Sequence, residues 1–277
     1  MARSLWRGSL SFGLVNVPVQ LVTAVKDVNL HFRQLHERDK APIDVLRWCS
    51  EEDREVPFEE IGHGYEVSKT KQVVLTDEEL EAAEPAKTRT IDIERFVDLA
   101  EVDPIHFDHP YFLVPAGDDQ GTARAYRLLT EVMSGTDQAA VARFAMRARE
   151  YLALVRVRGG VLSLTTLLFH DVVRPIKDIE DASAKQHKPS KQELDGAIAV
   201  IESMSADWDP GRHKDRYRQR LLKVIERKRK GQSIKLPETA GEPEPVPDLM
   251  AALERTISEI RDDGKRRGGK KKVAAKS

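Results

Sequence analysis

Apolar and polar positions along this chain change their period near residue 190. Before that point the apolar positions come in short, β-branched and aromatic runs. Segments 9–25, 30–36, 64–75, 89–99, 110–115, 141–158 and 161–170 each read as strands on alternation and turn signals. The first of them grows out of the opening Ser4-Leu5-Trp6-Arg7-Gly8 and is interrupted by Gly8, Gly13 and Pro18. Glycine permits unusual backbone angles and proline removes a ladder donor, so a bulge or corner is expected there. Two short helices break the series. Thr76 with Glu79 forms a capping box that opens a helix over 77–84. A second helix over 122–134 places Ala125, Leu128, Leu129, Val132 and Met133 on one stripe and stops at Gly135. Many short strands with two small helices predict a mainly β fold, a barrel with α insertions rather than a parallel α/β sheet.

From residue 190 the pattern is helical. Ser190 caps a helix with Glu193 as its box partner, and Leu194, Ile198, Ile201 and Met204 form its apolar face. Trp208-Asp209-Pro210-Gly211 ends it, and a second helix is expected over about 212–230. Residues 237–247 contain four prolines and read as an extended linker. Asp248 can cap a short amphipathic helix over 248–263, with Leu249, Leu253, Ile257 and Ile260 as a narrow stripe. The expected division is therefore a core over 1–190, a helical arm over 191–236, the linker, that helix, and a disordered basic tail over 264–277.

Composition narrows the class. At 277 residues the chain can bury a substantial core. A single cysteine, with no secretory segment ahead of the first strand, leads us to expect a reducing cytoplasm. No apolar run approaches the roughly 18 residues that a membrane span needs. The net charge of −1 conceals an asymmetry. Residues 1–120 carry 13 Lys/Arg against 24 Asp/Glu, a net of −11, and the remainder carries 32 against 22, a net of +10. An acidic first half repels phosphates in bulk, so any nucleic-acid contact must come from local patches and from the later segments.

Three basic features are candidates for such patches. Arg143-Phe144-Ala145-Met146-Arg147-Ala148-Arg149 would, as one extended strand, put Arg143, Arg147 and Arg149 on one face. Arg156 and Arg158 extend the theme up to Gly159-Gly160, a two-glycine hairpin signal. A solvated arginine face balancing the acidic half is the alternative. Arg212–Lys230 holds ten Lys/Arg and two acids, with Trp208, Tyr217, Leu221, Leu222 and Ile225 as its partner-facing candidates. That segment suits a helix packed across a partner, a nucleic-acid contact, or both. The tail offers Lys265, Arg266, Arg267, Lys270, Lys271 and Lys272, which can release counterions from nucleic acid without any fold, or simply aid solubility.

Catalytic signals are missing from the sequence. It contains no Gly-x-x-x-x-Gly-Lys-Ser/Thr loop and no Lys-x-Asp-Gly motif. The eight histidines do not follow metal-ligand spacing, and Asp77-Glu78-Glu79 is the acidic first turn of a helix. No cofactor, metal site or enzymatic activity is expected.

Five motifs in order resemble those of bacterial Ku, covering roughly residues 1–230. They are the opening segment through Val22, Gly64-Tyr65-Glu66-Val67, Val102-Asp103-Pro104-Ile105-His106-Phe107-Asp108 running on to Tyr111-Phe112-Leu113, Trp208-Asp209-Pro210, and His213-Lys214-Asp215-Arg216-Tyr217. The resemblance implies a Ku-type β-barrel with a segment that bridges over DNA. It also implies a homodimeric ring that threads DNA double-strand ends without reading bases, as part of non-homologous end joining. Partners implied are double-stranded DNA ends, a second copy of the chain and the ATP-dependent DNA ligase D, at a cytoplasmic, nucleoid-associated location. Lys69/Lys71 and Lys87/Arg89 fall in the bridging region and become candidate phosphate contacts on the same ground. One departure is visible: Cys49 is followed by Ser50-Glu51-Glu52-Asp53, without the second cysteine many bacterial Ku chains carry. Two rivals are a nucleoid-type architectural protein without end preference and a metal-dependent nuclease using the carboxylate-rich first half.

Overall fold

Strands β1 (Ser4–Phe12) and β2 (Val15–Thr23) pair antiparallel around a two-residue turn. Gly13 occupies that turn at a φ of 59°, which its missing Cβ allows. The opening run is thus a hairpin and not the single bulged strand that its apolar continuity suggested. The computed structural model describes residues 3–233 apart from 87, 118, 137 and 180–188. Its contacts divide into two units, 1–179 and 180–277.

The first unit is built on a closed barrel of seven strands. To β1 and β2 it adds β7 (Thr90–Asp98), β8 (Phe107–Pro115), β9 (Gln138–Met146), β10 (Arg149–Arg158) and β11 (Val161–Leu167). The order around the barrel is β1-β2-β8-β11-β10-β9-β7. All neighbours are antiparallel except β1 and β7, whose parallel pairing closes the ring. Alternate side chains fill the interior, among them Leu10, Val19, Leu21, Ile91, Leu113, Ala142, Val155 and Leu164. A second apolar cluster, with Ala139, Leu154 and Leu167 at its centre, lies on the outer parity of the strands and packs against Val102 and Phe107. Asp103 shapes that covering loop by accepting from the Ile105 N–H at 3.0 Å.

The expected strand 141–158 is two strands, β9 and β10, joined by Arg147-Ala148 at φ 52° and 62°. Residue pairs with both φ positive match the right-handed strand twist, and here they do so without glycine. Gly159-Gly160 forms the expected second turn, between β10 and β11, at φ 57° and 77°. Segment 30–36 is not a strand; only Leu35 bridges to Pro42. Segment 64–75 is a hairpin of β5 (His63–Ser68) and β6 (Lys71–Leu75), and a smaller one pairs β3 (Trp48–Cys49) with β4 (Arg54–Glu55).

Helix α1 (Asp77–Ala82) carries the Thr76/Glu79 capping box. Helix α2 (Gln120–Thr136) packs into the barrel's interior cluster, but through Tyr126, Leu129 and Met133 with Thr122 and Thr130. Leu128 and Val132, placed by periodicity on the buried stripe, remain exposed. Tyr126 decides the rotation. Its hydroxyl donates to the Leu113 carbonyl at 2.7 Å and accepts from the Leu162 N–H at 2.9 Å, bridging β8 and β11.

In the second unit, α3 (Lys191–Met204) starts at the Ser190/Glu193 capping box, and α4 (Arg216–Arg229) starts at Asp215, not at 212. Residues 210–212 form a separate tight turn after Asp209, whose carboxylate accepts from the Gly211 N–H. The expected linker, last helix and tail lie outside the described residues.

Candidate nucleic-acid interface

Barrel register sorts the candidate arginines into two groups. Strand ends at Val15, Pro115, Asp98, Gln138, Arg158 and Val161 lie at one end of the barrel. Those at Thr23, Phe107, Thr90, Met146 and Arg149 lie at the other. Residues 24–89 leave the barrel after Thr23 and return at Thr90, so this insert is rooted at the second end. Arg147 in the β9–β10 turn and Arg149 at the start of β10 sit at that same end, exposed. Arg156 and Arg158 sit toward the opposite end.

The three-arginine face does not exist as drawn from the sequence. Arg147 stands in a turn, and only Arg143 lies within β9. Arg143 is also not free. Its Nε donates to Glu94 at 2.7 Å and one terminal nitrogen donates to Glu150 at 3.1 Å. Those two bonds, Glu94 first, hold its guanidinium above the ordinary arginine range. The acids come from β7 and β10, the strands flanking β9, so no inspection of residues 143–149 alone would place them there.

The insert root is tied to the barrel by backbone. The Ser9 N–H donates to the Arg89 carbonyl at 2.9 Å. Arg89, just before β7, and Arg7, within β1, are both exposed, and Arg7 is a cation not among the candidates marked by the sequence pattern. Gly8 is required at this junction: a Cβ there would stand 2.1 Å from the Arg89 carbonyl oxygen and 2.3 Å from the Trp6 ring. Arg147 adds a positive field near Tyr111. Burial pushes that phenol up, Tyr151 and Asp108 add to the shift, and Arg147 opposes it.

Lys69 stands in the turn of the β5–β6 hairpin and Lys71 opens β6, so the two do not share one extended segment. Both are therefore presented at the hairpin tip, exposed. Every residue of β5 is exposed as well, Tyr65 included. A two-stranded hairpin with so little buried surface is marginal alone in water and gains stability by docking. Lys87 and the tail candidates Lys265, Arg266, Arg267, Lys270, Lys271 and Lys272 lie outside the described residues. On α4, Tyr217, Leu222 and Ile225 are exposed and Leu221 is half-buried, all on one broad face. Trp208 is exposed and stacks on His213 at 4.8 Å.

The first unit is thus a closed barrel with an insert that carries cations at its hairpin tip, and the second unit is helical. Among the described residues, no helix is long and apolar enough to cross a membrane. Residues 11–196 match the Ku70/Ku80 beta-barrel domain, and the chain belongs to the Ku family. It is 42% identical over 265 residues to the non-homologous end joining protein Ku of Anaeromyxobacter sp. (strain K), covering 95% of this chain and 88% of that protein. It is 40% identical over 261 residues to non-homologous end joining protein Ku 1 of Geotalea uraniireducens (strain Rf4), covering 94% and 98%. With the Ku of Opitutus terrae the figures are 37% over 281 residues, 99% and 98%.

Proposed function

We propose that the protein binds DNA double-strand ends without sequence preference, as a homodimeric ring, and acts in non-homologous end joining by binding and not by catalysis. The observation that carries this reading is the gathering of exposed cations about the insert root, on a chain that belongs to the Ku family. Arg89, Arg147 and Arg149 lie at the barrel end where residues 24–89 are rooted, and Lys69 and Lys71 are at the tip of the insert's hairpin. Cations at the base and tip of one arm can follow a phosphate backbone while leaving base edges unread, which gives affinity without sequence preference. Enclosure also resolves the charge problem: an acidic chain needs positive potential only where the duplex passes. Arg143 stands apart because its two carboxylates already neutralise it, and Arg156 stands apart because it is recessed at the far end.

The exposed apolar face of α4, with Trp208, is the surface we assign to protein partners: a second copy of the chain and the ATP-dependent DNA ligase D. The basic face of the same helix stays in water or meets DNA. A cytoplasmic, nucleoid-associated location follows from this role.

Binding to a linear duplex beside the same duplex closed into a circle tests the proposal. Retention of the linear form alone at moderate salt is the expected result. Equal binding to both would establish a nucleoid-type coating protein, and sustained strand cleavage in Mg²⁺ or Mn²⁺ would establish a nuclease.

A further inference from the structure

A recess of about 280 Å³ opens between the C-terminal turn of α2 and the β10–β11 turn, at the barrel end remote from the insert. Arg156, Gln138 and Ser134 supply its polar lining, and Leu99 and Val157 its apolar walls. Ser134 also helps to line a wider groove of about 730 Å³, as does Gly160, which both spaces share. Pro115, Ala123 and Tyr126 line that groove. Leu128 and Val132, next around α2 from Glu131 and Gly135, extend its apolar surface into solvent. A polar recess holding one guanidinium therefore opens onto a mostly apolar trough.

Arg156 differs from Arg143, although strand alternation puts both on the outside of the barrel. Arg143 is held by two carboxylates, whereas the Arg156 side chain makes no hydrogen bond or ion pair among the described residues. The Arg156 guanidinium keeps its nitrogens accessible and takes no acceptor from the described residues, so it is open to an anion entering the recess. The surroundings select which anion. Helix α2 ends here, so its last carbonyls bring partial negative charge, and the groove is lined by one carboxylate, Glu131, and one guanidinium, Arg127. The helix end opposes the dense charge of a phosphodiester backbone, Arg127 and Glu131 offset each other, and the apolar trough offers that backbone nothing. A single carboxylate matches the fork of one guanidinium and leaves its attached apolar group in the trough.

We infer that this recess and groove bind a peptide segment of a partner protein in which an Asp or Glu sits beside bulky apolar side chains, with Arg156 taking the carboxylate. This site is separate from the proposed DNA contacts and does not depend on them.

The test uses the full chain and follows the amide resonances of Gly159, Gly160 and Ala139. Probes are the peptide Ac-Leu-Leu-Asp-Leu-NH2, its Asn counterpart, free 4-methylpentanoate, inorganic phosphate and a blunt duplex. We expect saturable shifts with the Asp peptide, binding about tenfold weaker for the Asn peptide, and weaker binding still for the free acid. Arg156→Gln abolishes the shifts, and Ala123→Trp, at an exposed position that the bulky ring would use to fill the groove, weakens peptide binding. Both variants retain duplex affinity. Displacement of the peptide by phosphate or duplex, or a loss of duplex affinity in Arg156→Gln, would make the recess a nucleic-acid contact. Free acid binding as tightly as the peptide would make it a small-molecule site. The absence of saturable shifts with any carboxylate probe overturns the inference outright.

Discussion

The indole N–H of Trp6 donates to the carbonyl of Ala145 at 3.1 Å, joining residues 139 positions apart across the barrel. The same ring meets Phe144 edge-on at 6.0 Å and covers Gly8. One aromatic residue near the start of the chain thus ties β1 to β9 beside the insert root. The glycine beneath it is there because nothing larger fits.

Gly8→Ala should consequently cost stability far beyond a strand propensity effect. The new methyl would collide with the backbone oxygen of Arg89 as well as the Trp6 ring, and the backbone cannot step aside like a flexible side chain. Overpacking of this kind costs about 1–3 kcal/mol. Urea unfolding measures it, and a midpoint within error of the parent would show that the junction relaxes.

Tyr126→Phe removes the only atom of α2 that bridges β8 and β11 by the two bonds described above. A buried carbonyl and N–H would each lose a partner, at about 1–3 kcal/mol in total. Burial also pushes the Tyr126 phenol up, with the Leu162 N–H partly opposing that shift. The sign follows directly: the unfolded chain ionises this group first as pH rises. Its contribution is therefore fully present below about pH 10 and is lost as pH climbs through the folded pKa. Unfolding midpoints from pH 8 to 11 should fall, and should fall less steeply in the variant.

Arg147→Gly should move stability and DNA affinity in opposite directions. Glycine relieves a φ of 52°, which stabilises the turn by up to about 1 kcal/mol. The lost charge weakens duplex binding and reduces the salt slope by roughly one per contact removed. Arg143→Met, by contrast, should leave duplex affinity near the parent value and cost less than about 1 kcal/mol of stability, since its ion pairs are about half exposed. Equal losses of affinity in the two variants would contradict the distinction between a free Arg147 and a neutralised Arg143.

Removal of residues 264–277 should weaken duplex binding most at low salt and flatten its salt dependence, with the proposed dimer intact in sedimentation. The segment holds seven cations and no anion, which on the proposed reading act through counterion release. Dissociation of the dimer would instead give the tail a structural role.

Much of the architecture is legible one element at a time. The capping boxes at Thr76/Glu79 and Ser190/Glu193 and the glycine turn at 159–160 form where local spacing puts them, because each is decided within four residues. The β-barrel class follows from the density of short strands, and the family from ordered motifs carried across both units. Local signals failed where two choices were equally good locally. Apolar continuity through Gly13 and through Arg147-Ala148 hid two hairpin turns, because pairing neighbouring strands antiparallel around the barrel imposes reversals on the chain. The stripe on α2 was misjudged because a hydroxyl bridging two strands, and not aliphatic periodicity, sets the rotation of that helix.

By itself the sequence determined the mainly β class, the starts of the two helices with capping boxes, the family and the supply of cations, all properties of local order and composition. Only the tertiary structure decided which cations are available. Barrel register brings Glu94 and Glu150 to Arg143 from strands on either side, sends Arg147 to the insert root and leaves Arg156 recessed at the other end. Electrostatic partners are chosen by distance through space, and a closed sheet makes neighbours of residues tens of positions apart.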